Sequence, residues 1–347
     1  MRHFRIGWLL TFIITSLVSV AILPALAFAA SEDKVVVYTP WQDAVMDRLA
    51  QAFYKETGVR VESINISTGE IYARLKAERA KPQADVWHSA RALYLDQARE
   101  EGLIAPYNPP NAKYVLAKYT YPGESYIMGT TTYPLVIVYN EPLLKKMKLT
   151  PPQTYVDLLD PKWKGLIVMP DPAASGTGFT FISVILQLYR KSGETGTQSQ
   201  AGWDYLKRFG KNVGQFTRSG SAPANLVATG EYPVGIVFYD RVYQAQNEGY
   251  PVQAVLPEPV YAEPSMTALV AGAPHPEAAK KFINFLLSRE AQEIAKELGN
   301  YSVRADMDPP KGAKKLTDVH LFDDDYTWSA QYERQILDEF NRVVRGQ

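Results

Sequence analysis

The stretch "KWKGLIVMPDPAASGTGFTF", residues 162–181, contains a strand, a loop and a helix start in immediate succession. Apolar, partly β-branched residues up to Met169 predict a strand. Asp171-Pro172 predicts a turn. Ser175, Gly176 and Thr177 then stand directly before an apolar run that predicts a helix over about 178–191. The first N–H groups of a helix lack intrahelical partners, and its dipole favours negative charge there. Small hydroxyl residues add donors at that point, and glycine lets the backbone come close to an anion.

The same succession recurs along the chain. Val35 to Tyr38 predicts a strand that Thr39-Pro40-Trp41 breaks, followed by a helix with Val45, Leu49, Ala52 and Phe53 on one face. A second strand, Val59 to Ile66, runs into Ser67-Thr68-Gly69 and another helix. "ADVWHSA" (84–90) predicts strand, then loop, with His88 and Ser89 at its end. "TYPLVIVYN" (132–140) and "YPVGIVFYD" (232–240) are further apolar strands, and Ser219-Gly220-Ser221 forms another hydroxyl loop before a helix. Alternating strands and helices predict an α/β fold whose mostly parallel sheets are flanked by helices. Four loops of this kind, at the carboxyl ends of strands, lie where open α/β sheets bind ligands. The competing explanation for each loop alone is helix capping, which Ser and Thr also perform.

Both ends of the composition limit the function. Arg2 and Arg5, an apolar run from Gly7 to Ala30, and Ala27-Phe28-Ala29 before Ser31-Glu32-Asp33 form a secretory signal peptide over 1–29, with cleavage expected near Ala29 or Ala30. An uncleaved anchor is the competing reading. The chain has no cysteine, which removes disulfides, thiolate metal sites and a lipid-anchored start, and points to a soluble periplasmic protein. Its 37 basic and 37 acidic residues cancel, so no global field points to nucleic acid. There is no P-loop, no G-x-S-x-G and no H-E-x-x-H. Beyond the signal, histidine occurs only at 88, 275 and 320, so neither catalysis nor a cofactor is expected.

"VVVYTPWQDAVMDRLAQAFYKETGV" (35–59), "STGEIYARLKAERAKPQADVWHSA" (67–90) and "HPEAAKKFINFLLSREAQEIAKELG" (275–299) resemble extracellular solute-binding proteins of bacterial ABC importers, in the ferric-binding-protein-like branch. The resemblance implies a monomeric, two-lobed type II (Venus flytrap) binding protein that hands its ligand to an inner-membrane permease. Lobe 1 would comprise 30–137 and 266–347, and lobe 2 residues 138–265, with crossing strands near 136–140 and 262–269. Iron-binding members use two adjacent tyrosines after a strand of lobe 2; here Tyr239 is followed by Asp240. "DPAASGTGFT", "KNVGQFTRSGSAPANLVATGE" and "GIVFYD" are more similar to members that bind phosphorylated organic solutes, hexose phosphates in particular. That similarity implies an anionic ligand with Ser175, Gly176, Thr177, Ser219 and Ser67, Thr68 and Gly69 at its phosphate, and Asp240 and Glu263 at its hydroxyls or amine. Thr39, Trp41, His88, Ser89 and Tyr239 complete the candidate set, with no metal ligands. A ferric carrier is the alternative.

Overall fold

The computed structural model describes residues 33–41, 43–90, 92–120 and 128–346. The signal peptide expected over 1–29 therefore lies outside the described residues. Eleven strands appear among those described: β1 (Lys34–Thr39), β2 (Arg60–Asn65), β3 (Val86–Ala90), β4 (Ile104–Ala105), β5 (Met128–Asn140), β6 (Ile167–Pro170), β7 (Val213–Thr217), β8 (Val234–Phe238), β9 (Val252–Val255), β10 (Ala262–Val270) and β11 (Tyr301–Ser302).

They form two half-sheets of matching order. In the first, β2, β1 and β3 are parallel, and β10 joins antiparallel between β3 and β5. In the second, β7, β6 and β8 are parallel, and β5 joins antiparallel between β8 and β9. Each half thus runs second, first, third, then a crossing strand. β5 is shared: it pairs with β10 up to Pro134 and with β8 from Leu135. The change of partner falls just ahead of the stretch expected at 136–140. On β10, opposite Thr131 and Gly129, a register shift between Ser265 and Met266 falls where pairing with β3 begins.

Burial follows the alternation of each strand. Val35, Val37 and Val86 pack with Phe53, Phe282 and Phe285 of the helices Asp43–Thr57 and Pro276–Leu286. Tyr38 and Trp87 point to the other face, with Ile71, Leu75 and Leu95. In the second half, Ile167, Met169 and Ile236 pack with Phe181, Leu206 and Phe209. Trp328, Ile336 and Phe340 join that second core. Their indole, aliphatic and phenyl groups are buried in one cluster with side chains of the helices Gly176–Tyr189 and Gln200–Gly210. The last helical segment is broken into three pieces, Tyr326–Gln331, Glu333–Phe340 and a π-helical turn Asn341–Arg345.

Candidate functional site

The Ser67, Ser175 and Ser219 loops lie beyond the carboxyl ends of parallel strands, whereas His88 and Ser89, expected in a loop, lie within β3 itself, and the structure uses the loops differently. Ser67 is spent on its own helix. Its Oγ accepts from the Glu70 amide at 3.4 Å, and the Glu70 carboxylate takes the Ser67 amide at 3.0 Å, a complete capping box. The Ser67 hydroxyl also donates to that carboxylate at 2.7 Å. Thr68 and Gly69 form the first turn behind it. Capping accounts for this loop.

Ser175 occupies the N-cap position of the helix Gly176–Tyr189, yet its side chain makes no capping hydrogen bond. The loop is shaped by Asp171 instead, whose carbonyl accepts the amides of Ala174 and Ser175 at 3.1 and 2.9 Å. The second loop meets it at Gly220. A β-carbon built there would lie 2.6 Å from Thr177 Oγ1 and 2.9 Å from Ser175 Oγ, so any other residue would have to displace both hydroxyls. Ser219 Oγ lies 2.9 Å from Ser221 Oγ and accepts the Ser221 amide at 3.3 Å. Ser175, Gly176, Thr177 and the Ser219 loop are therefore gathered at one helix start in the second half.

In the first half Thr39, Trp41, His88 and Ser89 form a separate group. Thr39 is buried, and its Oγ1 accepts the Trp41 amide at 3.1 Å. The Trp41 and His88 rings meet edge to face at 4.6 Å. His88 is fully buried; its Nδ1 lies 2.7 Å from Thr267 Oγ1, and its Nε2 has no hydrogen-bond partner. Burial pushes the ring down to about 3, so it stays neutral. Ser89 has φ +58°, a left-handed conformation costly for a residue with a side chain. His275, by contrast, is scaffolding: its amide and Nδ1 bond the buried Asp85 carboxylate at 2.7 and 2.9 Å.

The two expected acidic residues sit in different surroundings. Asp240 lies beside Arg241, whose Nε is 3.2 Å away, and burial raises its carboxyl. Tyr239 packs against Tyr301 and Tyr243, with ring centroids 5.3 and 6.3 Å apart, and burial raises its phenol to about 12. Glu263 lines a cavity of about 140 Å³, formed by Tyr94 from the first half, Thr180 and Ser183 from the second, and Tyr261 and Asp324. Its acidic neighbour there is Asp324, not Asp240. Burial pushes Asp324 up to about 6; a hydrogen bond from Gln187 Nε2 at 2.8 Å opposes this, and the Glu263 charge adds to it. Asp324 is the residue the sequence reading missed. The acidic run Asp323-Asp324-Asp325 directly before an aromatic helix was the available signal.

Among the described residues no group of three or more His, Cys, Asp or Glu is arranged to hold a metal ion. Nor is any described helix long and apolar enough to cross a membrane.

Residues 48–321 match the model of the bacterial extracellular solute-binding protein family. A putative 2-aminoethylphosphonate-binding periplasmic protein of Salmonella typhimurium is 33% identical over 273 residues, 74% of each chain. The structure of the periplasmic binding protein AfuA from Actinobacillus pleuropneumoniae, with exogenous fructose-6-phosphate bound, is similar at a TM-score of 0.74 and 28% identity, covering 90% of this chain and 98% of that one. Iron-bound HitA from Pseudomonas aeruginosa shares the two-lobed fold at a TM-score of 0.73, with 21% identity over 87% of this chain and 99% of its own. With the matched strand order of its two half-sheets and a family match over most of its length, the chain belongs to the bacterial extracellular solute-binding proteins and has their two-lobed type II fold.

Proposed function

We propose that this protein is the periplasmic solute-binding component of an ABC importer and carries a small phosphorylated or phosphonate organic solute. The observation that carries this reading is the meeting of Ser175, Thr177 and Gly220 at the start of a 14-residue helix, with the Ser175 side chain not used as a cap. Neutral hydroxyls, main-chain N–H groups and a helix dipole satisfy a dianion without a buried cation. Ser175, Gly176, Thr177 and Ser219 hold the phosphorus-bearing end. Glu263 and Asp324 receive the other end, as acceptors for sugar hydroxyls or as counter-charges for an ammonium. Trp41, half-buried and backed by the buried His88, supplies a wall from the first lobe in this reading. The relatives named for a phosphonate and solved with a sugar phosphate agree in ligand class. Residues 1–29 are the export signal in this reading.

A thermal-shift screen of hexose phosphates, glycerol phosphates, phosphoglycerate and 2-aminoethylphosphonate tests it. A true ligand at about 100 times its Kd adds roughly 2.7 kcal/mol of stability. If none stabilises the protein while ferric ion does, the reading is wrong. One observation favours that ferric alternative: the Tyr239, Tyr243 and Tyr301 rings cluster at the end of β8. Burial raises the Tyr239 and Tyr301 phenols, which disfavours the phenolates a ferric ion needs.

A further inference from the structure

We propose that Arg345 is a positioning residue for the anion end of the site, fixing the two loops that carry it; this rests on the reading of those loops as the ligand cradle. Arg345 lies far along the chain from both, on the π-helical turn Asn341–Arg345. Turns of this type are rare and occur frequently at functional sites. Its Nη2 lies 2.8 Å from Asp171 Oδ2, and its guanidinium stands 4.8 Å from the centre of the Phe216 ring. Phe340 at 5.5 Å and Asn341 Oδ1, 3.1 Å from Nη1, complete the seat. The side chains of Arg345 and Asp171 are only 20% and 23% exposed.

Each partner governs one loop. Asp171 Oδ1 accepts the Ala173 amide at 2.9 Å, and its carbonyl accepts the Ser175 amide, so Asp171 sets the path into Ser175-Gly176-Thr177. Phe216 precedes Thr217, whose carbonyl takes the Asp171 amide at 2.7 Å and whose hydroxyl donates to the Ser219 carbonyl at 2.9 Å. One guanidinium therefore holds the ends of β6 and β7 together, directly before the point where Gly220 meets Thr177. The turn that presents it is itself tightly docked, since a methyl group at Gly210 would clash with Val344 Cγ1. A planar, permanently charged group that both pairs with a carboxylate and lies against an aromatic ring suits this double role better than an ammonium does. Because the pair is largely sheltered, removing one partner alone leaves a charge without its counter-ion and costs folding stability as well, and the double variant, which removes both charges, isolates the effect on the placement of donors at the site.

The test titrates fructose 6-phosphate and 2-aminoethylphosphonate calorimetrically into wild type, Arg345→Met, Arg345→Lys, Asp171→Asn and the double variant Arg345→Met/Asp171→Asn. Urea unfolding of each protein without ligand runs alongside. Arg345→Met keeps the stem over Phe216 and removes the charge. It should weaken binding about tenfold and lower the unfolding midpoint, whereas the double variant should regain the midpoint yet bind about as weakly as either single one, as expected of two groups acting through one contact. Arg345→Lys should recover part of the loss. Affinity within twofold of wild type in Arg345→Met overturns the proposal. So does a loss of affinity matched by an equal loss of stability and additive in the double variant, the mark of a scaffold residue. A wild-type protein that binds neither these probes nor any other phosphorylated or phosphonate solute of the thermal-shift screen overturns the phosphate reading itself, and this inference with it.

Discussion

Gly220 faces Thr177 so closely that a β-carbon at position 220 would stand 2.6 Å from the Thr177 hydroxyl. Two segments some forty residues apart in the chain are thereby forced into one surface. Gly220→Ala should push them apart. The expected result is at least a tenfold loss of affinity for the phosphorylated solute, with about 1–3 kcal/mol lost from the ligand-free protein by overpacking. Calorimetric titration and urea unfolding of the same preparation check both numbers.

Thr177→Val and Ser67→Ala should behave oppositely. The valine keeps the shape and removes one donor from the cradle, so affinity should fall roughly ten- to a hundredfold, about 1.5–3 kcal/mol, with stability unchanged. Ser67 completes a capping box, so its alanine variant should lose about 1 kcal/mol of stability and keep its affinity. A pair of variants that both lose stability and both keep binding would place the two loops alike in the scaffold.

The buried His88 makes acid stability predictable. Its ring is pushed down to about 3 in the folded protein, whereas in the unfolded chain it protonates near 6.5. Between those values the unfolded state holds a proton that the folded state lacks. Stability is therefore lost as pH falls below about 6.5, by up to about 1.4 kcal/mol per pH unit from this group. His88→Gln should flatten that slope in urea midpoints measured from pH 7.5 to 4.5. An unchanged slope would mean that the ring takes up a proton in place.

Asp324 should act in the opposite sense. Its carboxyl is held at about 6 by burial, with Glu263 adding and Gln187 and Lys118 opposing, while an unfolded aspartate titrates near 3.9. The folded state takes up the proton first, so this group adds stability as pH falls from about 6 to 4, and its charge costs stability at pH 7. Asp324→Asn should raise stability at pH 7 by on the order of 2 kcal/mol and abolish the gain on acidification. Both solutes lose their second phosphoryl charge at about pH 6. If an ammonium occupies the cavity, affinity for 2-aminoethylphosphonate should fall more steeply below about pH 6 than affinity for fructose 6-phosphate, and Asp324→Asn should remove that difference.

Much of the architecture was legible because period and punctuation agree. The β-branched runs at Val35–Tyr38 and Ile167–Met169, the first broken by Thr39-Pro40-Trp41 before a 3.6-period helix and the second by Asp171-Pro172 before a continuous apolar one, fix strands and helices locally. What the loops do was less legible, since Ser67 and Ser175 present nearly the same local pattern. They differ because Glu70 stands three residues after Ser67 and closes a capping box, whereas Gly178 stands three residues after Ser175. The pairing of Glu263 with Asp324, and of Asp171 with Arg345, joins residues 61 and 174 positions apart, taking the differences of their residue numbers. No periodicity in the chain records such contacts. They follow from the last helices burying Trp328, Ile336 and Phe340 against the second half-sheet rather than the first.

The position of the phosphorus atom in a crystal structure of the protein with its best-stabilising solute tests the central claim most directly. The account places that atom within hydrogen-bonding reach, through its oxygens, of Ser175 Oγ, Thr177 Oγ1 and the amides that open the helix Gly176–Tyr189. The rest of the solute would extend toward Glu263 and Asp324. A phosphorus atom bound elsewhere, or a ferric ion seated on Tyr239 with the Ser175–Thr177 loop untouched, would contradict it.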